Sequence, residues 1–370
     1  MVAEPLDTGG QFGQQGEWRP PRGSPAREPV QHAPSDDRAQ GKQGRFVADR
    51  AIPIANSPNM LEDSPDSRTE RAMLYWLATS LLLAVHLLAM NVAAGGPIVA
   101  AWLWGRGAEG AALAKRLLWW SLASLLWGAA AGGVTMLLPN PGLRAALGRF
   151  SASAYWYAGT EYLFSAVCVG AMWAWAAQFQ RRRWLAWFAA LAASSNLLYH
   201  FPPWLTVIGR LAAEPGWGPP GVLDRRALLA LMRTGEPLSL TVHVALASLA
   251  VPAIAMLWQI SRGGDSGAAE DAPAPCTRGL AIWALVPTLL QLPVGVWVLA
   301  SASAEVRRAA MGGDALTSTC FVAGMVAAFA LTQRLASVAL GDCDAPQLRR
   351  AAWWLLATVT LMSATLRGAR

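Results

Sequence analysis

The sequence predicts an all-α fold, a polytopic bundle of about eight transmembrane helices. Apolar residues fill 54% of its 370 positions and charged residues only 14%. The apolar residues gather into runs long enough to cross a bilayer, which takes about 20 residues for a hydrocarbon core of roughly 30 Å. The 19 tryptophans suit the same setting, because an indole with an apolar body and a polar N–H favours the membrane–water boundary. Trp119–Trp120 and Trp353–Trp354 stand near the starts of runs, and Trp184 and Trp187 follow the Arg181–Arg183 loop.

Residues 1–72 come first and have no long apolar run; they carry Pro20–Pro21, Ser64–Pro65 and charges of both signs. Such a segment cannot bury enough apolar surface to offset its ordering entropy, so it reads as disordered, or as preceding a true start at Met60 or Met73. A basic n-region, apolar h-region and cleavage site are lacking, so it does not read as a secretory signal. The predicted spans then follow at about 73–104, 116–138, 154–179, 184–209, 237–261, 279–301, 316–340 and 351–366. Short connections between them favour antiparallel neighbours. Gly95–Gly96–Pro97 and Phe201–Pro202–Pro203–Trp204 read as helix breaks. The longest connection, about 210–236, holds GWGPPG and then the amphipathic stretch Val222–Met232, too short and charged to span and suited to lying along the interface. Residues 262–278 form a Gly-, Ala- and Asp-rich connector.

The net charge is +7. Its basic residues are scattered through short loops without a basic arm or interleaved aromatics, so they set topology and nucleic acid is not a partner. With eight spans both termini share one side, and the Lys and Arg count is nearly equal on the two sides. The acid-free cluster Arg181–Arg183 places the side opposite the termini in the cytoplasm. Cys168 and Cys320 fall within spans and read as apolar fillers. Cys276 and Cys343 fall in connections on one side and read as free thiols, or as a disulfide if that side is oxidising. No CxxCH occurs, which excludes covalently attached c-type haem.

Ionisable groups inside apolar runs are the functional candidates, because hydrocarbon penalises them unless they are paired, ligating or facing a polar cavity. They are His86, His200, His243 and Glu161. Counted at 1.5 Å per residue, His86 lies about 20 Å into its span, and Glu161 and His243 roughly 10 Å from the terminal side. His200 falls late in the fourth span and approaches the same side. Each has company at helical spacing. Met90 follows His86 at i+4, Tyr157–Glu161–Ser165–Cys168 form one stripe, and Glu236–Ser239–His243 form another; both stripes are expected to face protein. A membrane histidine also occurs simply hydrogen-bonded to a carbonyl, and Met90, Met325 and Met362 serve packing as readily as ligation. On chemistry alone two classes stay open, a haem site with imidazole, Met or carboxylate ligands and a proton relay through His and Glu in a transporter or channel. A non-catalytic scaffold of a redox complex is the third reading.

Four segments carry a family resemblance. ATSLLLAVHLLAMNVAAGGPIVAAWL around His86, EYLFSAVCVG at Glu161, ALAASSNLL before His200 and GEPLSLTVHVALASLAVPAIAM around His243 resemble, in order and spacing over about 73–262, helices of the large subunit of cytochrome bd-type quinol oxidases. The resemblance implies non-covalent haem b, with His86 and His243 as iron ligands and Glu161 as the catalytic acid beside an open iron position. His200, Met90, Met325 and Met362 are further candidate ligands, and Arg367 a partner for a propionate. It also implies a multi-pass protein of the bacterial inner membrane, with haems near the outer face. The chain departs from the family: the connection 303–315 is too short for the quinol-binding loop, GRQPW is absent, one glutamate stands where two are usual, and the last two spans match poorly. The resemblance therefore points to a shortened relative taking part in electron transfer and oxygen reduction, whose donor is another membrane or c-type cytochrome subunit.

Overall fold

The computed structural model describes residues 65–138, 140–263 and 274–369. Among them the helices are joined by short turns and loops, and the one β-type pairing is an isolated bridge between Phe150 and Leu223. Long helices carry each of the predicted spans: α1 (Pro65–Leu103), α2 (Gly107–Leu137), α4 (Ala152–Ala174), α6 (Arg183–Ala213), α8 (Gly235–Gly263), α9 (Ala274–Ser301), α11 (Ala315–Leu340) and α12 (Ala345–Gly368). Between them lie short helices, α3 (Pro141–Leu147), α5 (Ala176–Arg181), α7 (Arg225–Met232) and α10 (Ala304–Arg308), the last followed by a single π-helical turn.

Five helices, α1, α2, α8, α9 and α11, are long and apolar enough to cross a membrane, and only 17–44% of their most apolar windows is buried inside the chain. A water-soluble bundle would turn those residues inward; here Leu126, Trp127, Leu137 and Val296 point out, each more than two-thirds exposed. The chain is a multi-pass helical membrane protein. α4, α6 and α12 have 23, 31 and 24 residues and carry polar groups, Tyr155, Tyr157 and Glu161 on α4, Asn196 and His200 on α6, and Arg349 and Arg350 on α12.

Small residues set how closely the helices approach. α1 and α2 run antiparallel, since Gly128 and Gly132 of α2 sit against Met90 and His86 of α1 while Ser121 abuts Gly96. At Gly95, α1 crosses α8 so tightly that a Cβ would fall 1.4 Å from the Ser248 carbonyl oxygen. That close crossing accounts for the Gly95–Gly96 pair, because nothing larger lets two backbones meet. α11 and α12 form a second antiparallel pair, with Met362 over Gly324 and Gly368 near Thr317. The main core of Leu103, Leu117, Leu118, Met172, Ile254, Met256, Leu257, Leu280 and Leu335 gathers residues of α1, α2, α4, α8, α9 and α11.

Several boundaries differ from the sequence reading. α1 begins at Pro65, so 65–72, read as disordered, are helical; 1–64 lie outside the described residues. Neither Pro97 nor Pro202–Pro203 breaks its helix. A membrane helix accommodates the missing N–H when nearby groups satisfy the freed carbonyls, here those of Ala93, Leu198 and Tyr199. The third run instead ends early, at a bend on Trp175, and resumes as α5. Cys276, read as a loop residue, is buried in the first turn of α9; all four cysteines are free thiols. Cys343, between α11 and α12, has its thiol pushed up by burial and by the carboxylates of Asp342 and Asp344.

Candidate functional site

The chain from α6 to α8 and the chain from α2 to α4 both turn at the end of the bundle where α12 finishes. There they build a cap of α3, α7 and the loop 214–224. Phe150, Trp204, Ile208, Leu211, Leu223, Leu228, Leu231 and Met232 are buried together beneath it. Arg149 ties the loop down, donating to the carbonyls of Trp217 (3.4 Å), Gly221 (3.2 Å) and Pro219. Arg210, near the end of α6, reaches Glu236 at 3.3 Å and Glu214 at 3.6 Å and lies 4.5 Å over the Trp217 ring. Glu236 is buried, so this pair anchors the start of α8.

Beneath the cap the α4 and α6 polar groups meet. His200 Nδ1 lies 2.8 Å from Glu161 Oε2, an ion-pair distance whose angle falls short of an aligned hydrogen bond. The side chains are 18% and 27% exposed, so neither is sealed from water. Asn196 Nδ2 donates to the Glu161 carbonyl at 2.5 Å and to Ser165 Oγ at 3.0 Å. Ser165 Oγ is in turn 3.2 Å from the Ala193 carbonyl, to which it donates. These bonds clamp α4 to α6 beside the pair. From it a narrow cleft lined by Ser151, Tyr157, Trp204, Asp224 and Arg225 leads towards the cap, with about 40 Å³ open to a water-sized guest. A water needs roughly 10–15 Å³ by that measure, so the cleft admits a few.

The other histidines are placed differently. His86 Nδ1 lies 2.8 Å from the Gly128 carbonyl of α2. A carbonyl only accepts, so Nδ1 carries the proton and Nε2 is left with its lone pair. The room for this ring is made by Gly132, whose Cβ would stand 2.9 Å from His86 Cε1. His243, on the third turn of α8, accepts at its backbone carbonyl from Gln291 Nε2 of α9 at 3.4 Å, while its Nδ1 is buried without a hydrogen-bond partner among the described residues. Such an orphan costs about 1–3 kcal/mol of desolvation unless something binds it.

The expected ligands are thus not gathered into one cluster. Glu161 pairs with His200 and not with His86, and no group of three or more His, Cys, Asp or Glu side chains able to hold a metal ion occurs among the described residues. Met90 packs on Gly128 and Met362 on Gly324, each filling the space over a glycine; Met325 and Met362 are half-buried on neighbouring helices. Arg367 is half-buried in the last turn of α12. Of the two stripes, Glu236 and Ser239 face protein as expected, whereas Tyr157 is 51% exposed and carries the Arg225 guanidinium 5.3 Å above its ring. The glycine pair 128/132 and the Asn196 amide had sequence signals, a small-xxx-small spacing and an amide inside an apolar run, that the candidate list passed over. No protein-family model matches the chain, and comparisons with curated proteins and with solved structures find no match.

Proposed function

We propose that the chain is a membrane subunit that binds haem b non-covalently and transfers electrons within a respiratory complex of the bd-oxidase-like kind. The observation that carries this reading is the buried, unpartnered Nδ1 of His243. A neutral imidazole nitrogen buried with no hydrogen bond is relieved by a metal, and haem iron is among the metals that neutral imidazole holds. His86 supports the reading independently. Its Nδ1–H donates to a backbone carbonyl, the outer-shell bond that fixes the tautomer and orientation of ligating histidines. In this reading His243 and His86 would each hold a haem iron, and Met362, Met325, Met90 and Arg367 would stand as further contacts. Haem bound there would supply one-electron transfer, and the chain would orient it and keep water away. The test is the visible spectrum of protein produced with ample haem. A Soret band and a pyridine haemochrome are expected, and their absence overturns the proposal.

A second reading is favoured by a separate observation, the Glu161–His200 pair at 2.8 Å beside a cleft with room for water. A carboxylate and an imidazole in contact can pass a proton between them, and the cleft joins them to the capped end of the bundle. In proteoliposomes this reading expects proton flux that Glu161→Gln abolishes. Flux equal in the variant overturns it.

A further inference from the structure

We infer that the outer face of α7 binds the phosphate-bearing head group of an anionic phospholipid. α7 is capped by Asp224, whose carboxylate accepts from the Ala227 N–H at 2.7 Å. Leu228, Leu231 and Met232 are buried in the cap, which turns Arg225, Arg226, Ala230 and Arg233 outward. Those four residues and Leu229 line a recess of about 430 Å³. No carboxylate lines it, and among the described residues neither Arg226 nor Arg233 has an ion-pair partner. The acids of this end are committed elsewhere, Asp224 to the helix start and Glu214 and Glu236 to Arg210. Arg225 is steadied over Tyr157.

Position selects lipid over an acidic peptide as the occupant. Arg233 stands two residues before α8, whose apolar window begins a candidate span at Gly235, so the recess lies where the hydrocarbon gives way to head groups. Its composition fits the same occupant. Guanidinium groups with free donors make charge-assisted, bidentate bonds to phosphate, while Leu229 and Ala230 offer an apolar floor to the glycerol and first acyl carbons. The inference is independent of haem, because none of these residues belongs to the histidine sites.

The test uses the full chain in detergent, delipidated stepwise and offered an equimolar mixture of phosphatidylglycerol and phosphatidylcholine, with the last lipid retained read by native mass spectrometry. Each basic residue at an anionic surface contributes about 1 kcal/mol, roughly fivefold in affinity, so R226Q/R233Q should lower the phosphatidylglycerol preference about 25-fold. R226K/R233K should keep most of the preference, and R181Q/R182Q, at the opposite end, all of it. Both side chains are exposed and, among the described residues, have no ion-pair partner, so the variant should fold; otherwise the single variants R226Q and R233Q report about fivefold each. An unchanged ratio in R226Q/R233Q, or no preference in the unmodified protein, overturns the inference. So does displacement of the lipid by millimolar inorganic phosphate, which would make the site a free-phosphate site. Loss of a co-purifying acidic protein in the variant, with the lipid ratio intact, would assign the recess to a peptide instead.

Discussion

Gly132 and Gly133 are adjacent on α2 and differ sharply in what a methyl group would meet. At Gly132 an added Cβ stands 2.9 Å from His86 Cε1 and 3.1 Å from its Nδ1; at Gly133 it meets nothing within 4 Å. Replacing either glycine by alanine gains about 1 kcal/mol of helix propensity. At Gly132 the imidazole must also move or the helices part, an overpacking cost of about 1–3 kcal/mol. Turning the ring gives up the 2.8 Å bond to the Gly128 carbonyl, a further loss of about 1 kcal/mol. Gly132→Ala should therefore unfold more easily than Gly133→Ala by about 2–4 kcal/mol, the propensity term cancelling between them. Gly133→Ala should match or exceed the unmodified protein. Denaturant titration of both variants in one detergent, followed by helical circular dichroism, measures the difference. Equal midpoints would refute the account of the α1–α2 contact and, with it, the tautomer assigned to His86. If His86 also ligates haem, Gly132→Ala should shift the Soret maximum while Gly133→Ala leaves it in place.

Replacing His243 with Ala should remove a sharp α-band from the reduced spectrum while the protein still inserts; an unchanged α-band would move the ligand role to His86 or His200. The candidate groups lean towards the end of the bundle that carries the cap, and the resembled family keeps its haems near the outer face, so both termini are expected outside. A cysteine at Ser151 should then react with an impermeant maleimide on intact cells and one at Arg182 should not, in a background lacking the native thiols. The reverse pattern would mean an inverted chain. Asp314 caps α11, accepting from the Thr317 N–H at 2.7 Å, and hydrogen bonds from Thr317 hold its carboxyl below the ordinary range. Because its folded pKa is the lower one, the cap's contribution is whole above the unfolded pKa of about 4 and is lost as pH falls through the folded value. Protection of the Thr317 amide, its exchange corrected for the intrinsic pH dependence of free amides, should therefore be steady from neutral pH down to about 4 and fall below it. Asp314→Asn, which keeps an acceptor without the titration, should flatten that limb; a limb that persists would place the titrating group elsewhere.

The all-α bundle was legible in the sequence, because runs near 20 apolar residues have few alternatives to a helix in a bilayer; five of the eight expected spans lie on helices long and apolar enough to cross a membrane. What misled was punctuation. Pro97 and Pro202–Pro203 stop helices in water, where a freed carbonyl and a new bend are readily solvated, yet here α1 and α6 run through them. The one real interruption, at Trp175, carries neither Gly nor Pro, and its neighbours Ala174 and Ala176 favour helix. The N-terminal turns of α1 were missed for the opposite reason. Pro65 to Arg71 is too polar to read as span, but as an extension of an established helix it costs no new nucleation.

The depth of the candidate residues was legible in the sequence, and their pairing was not. Depth along a span follows from counting, so the gathering of Glu161 and His200 near one end could be read before any contact was known. Which groups touch depends on how each helix is rotated about its own axis, and one residue of rotation is about 100°. Here rotation is set by glycines and small polar groups. Gly128 and Gly132 turn α2 so that His86 meets a backbone carbonyl instead of Glu161. Asn196 and Ser165 turn α6 against α4 so that His200 takes the acid. His243 is left as the histidine whose Nδ1 neither a carbonyl nor a carboxylate satisfies among the described residues. That division of partners sharpens the haem proposal: if iron binds this chain through a histidine with no protein partner to give up, His243 is that histidine, and its removal should cost the spectrum more than it costs the fold.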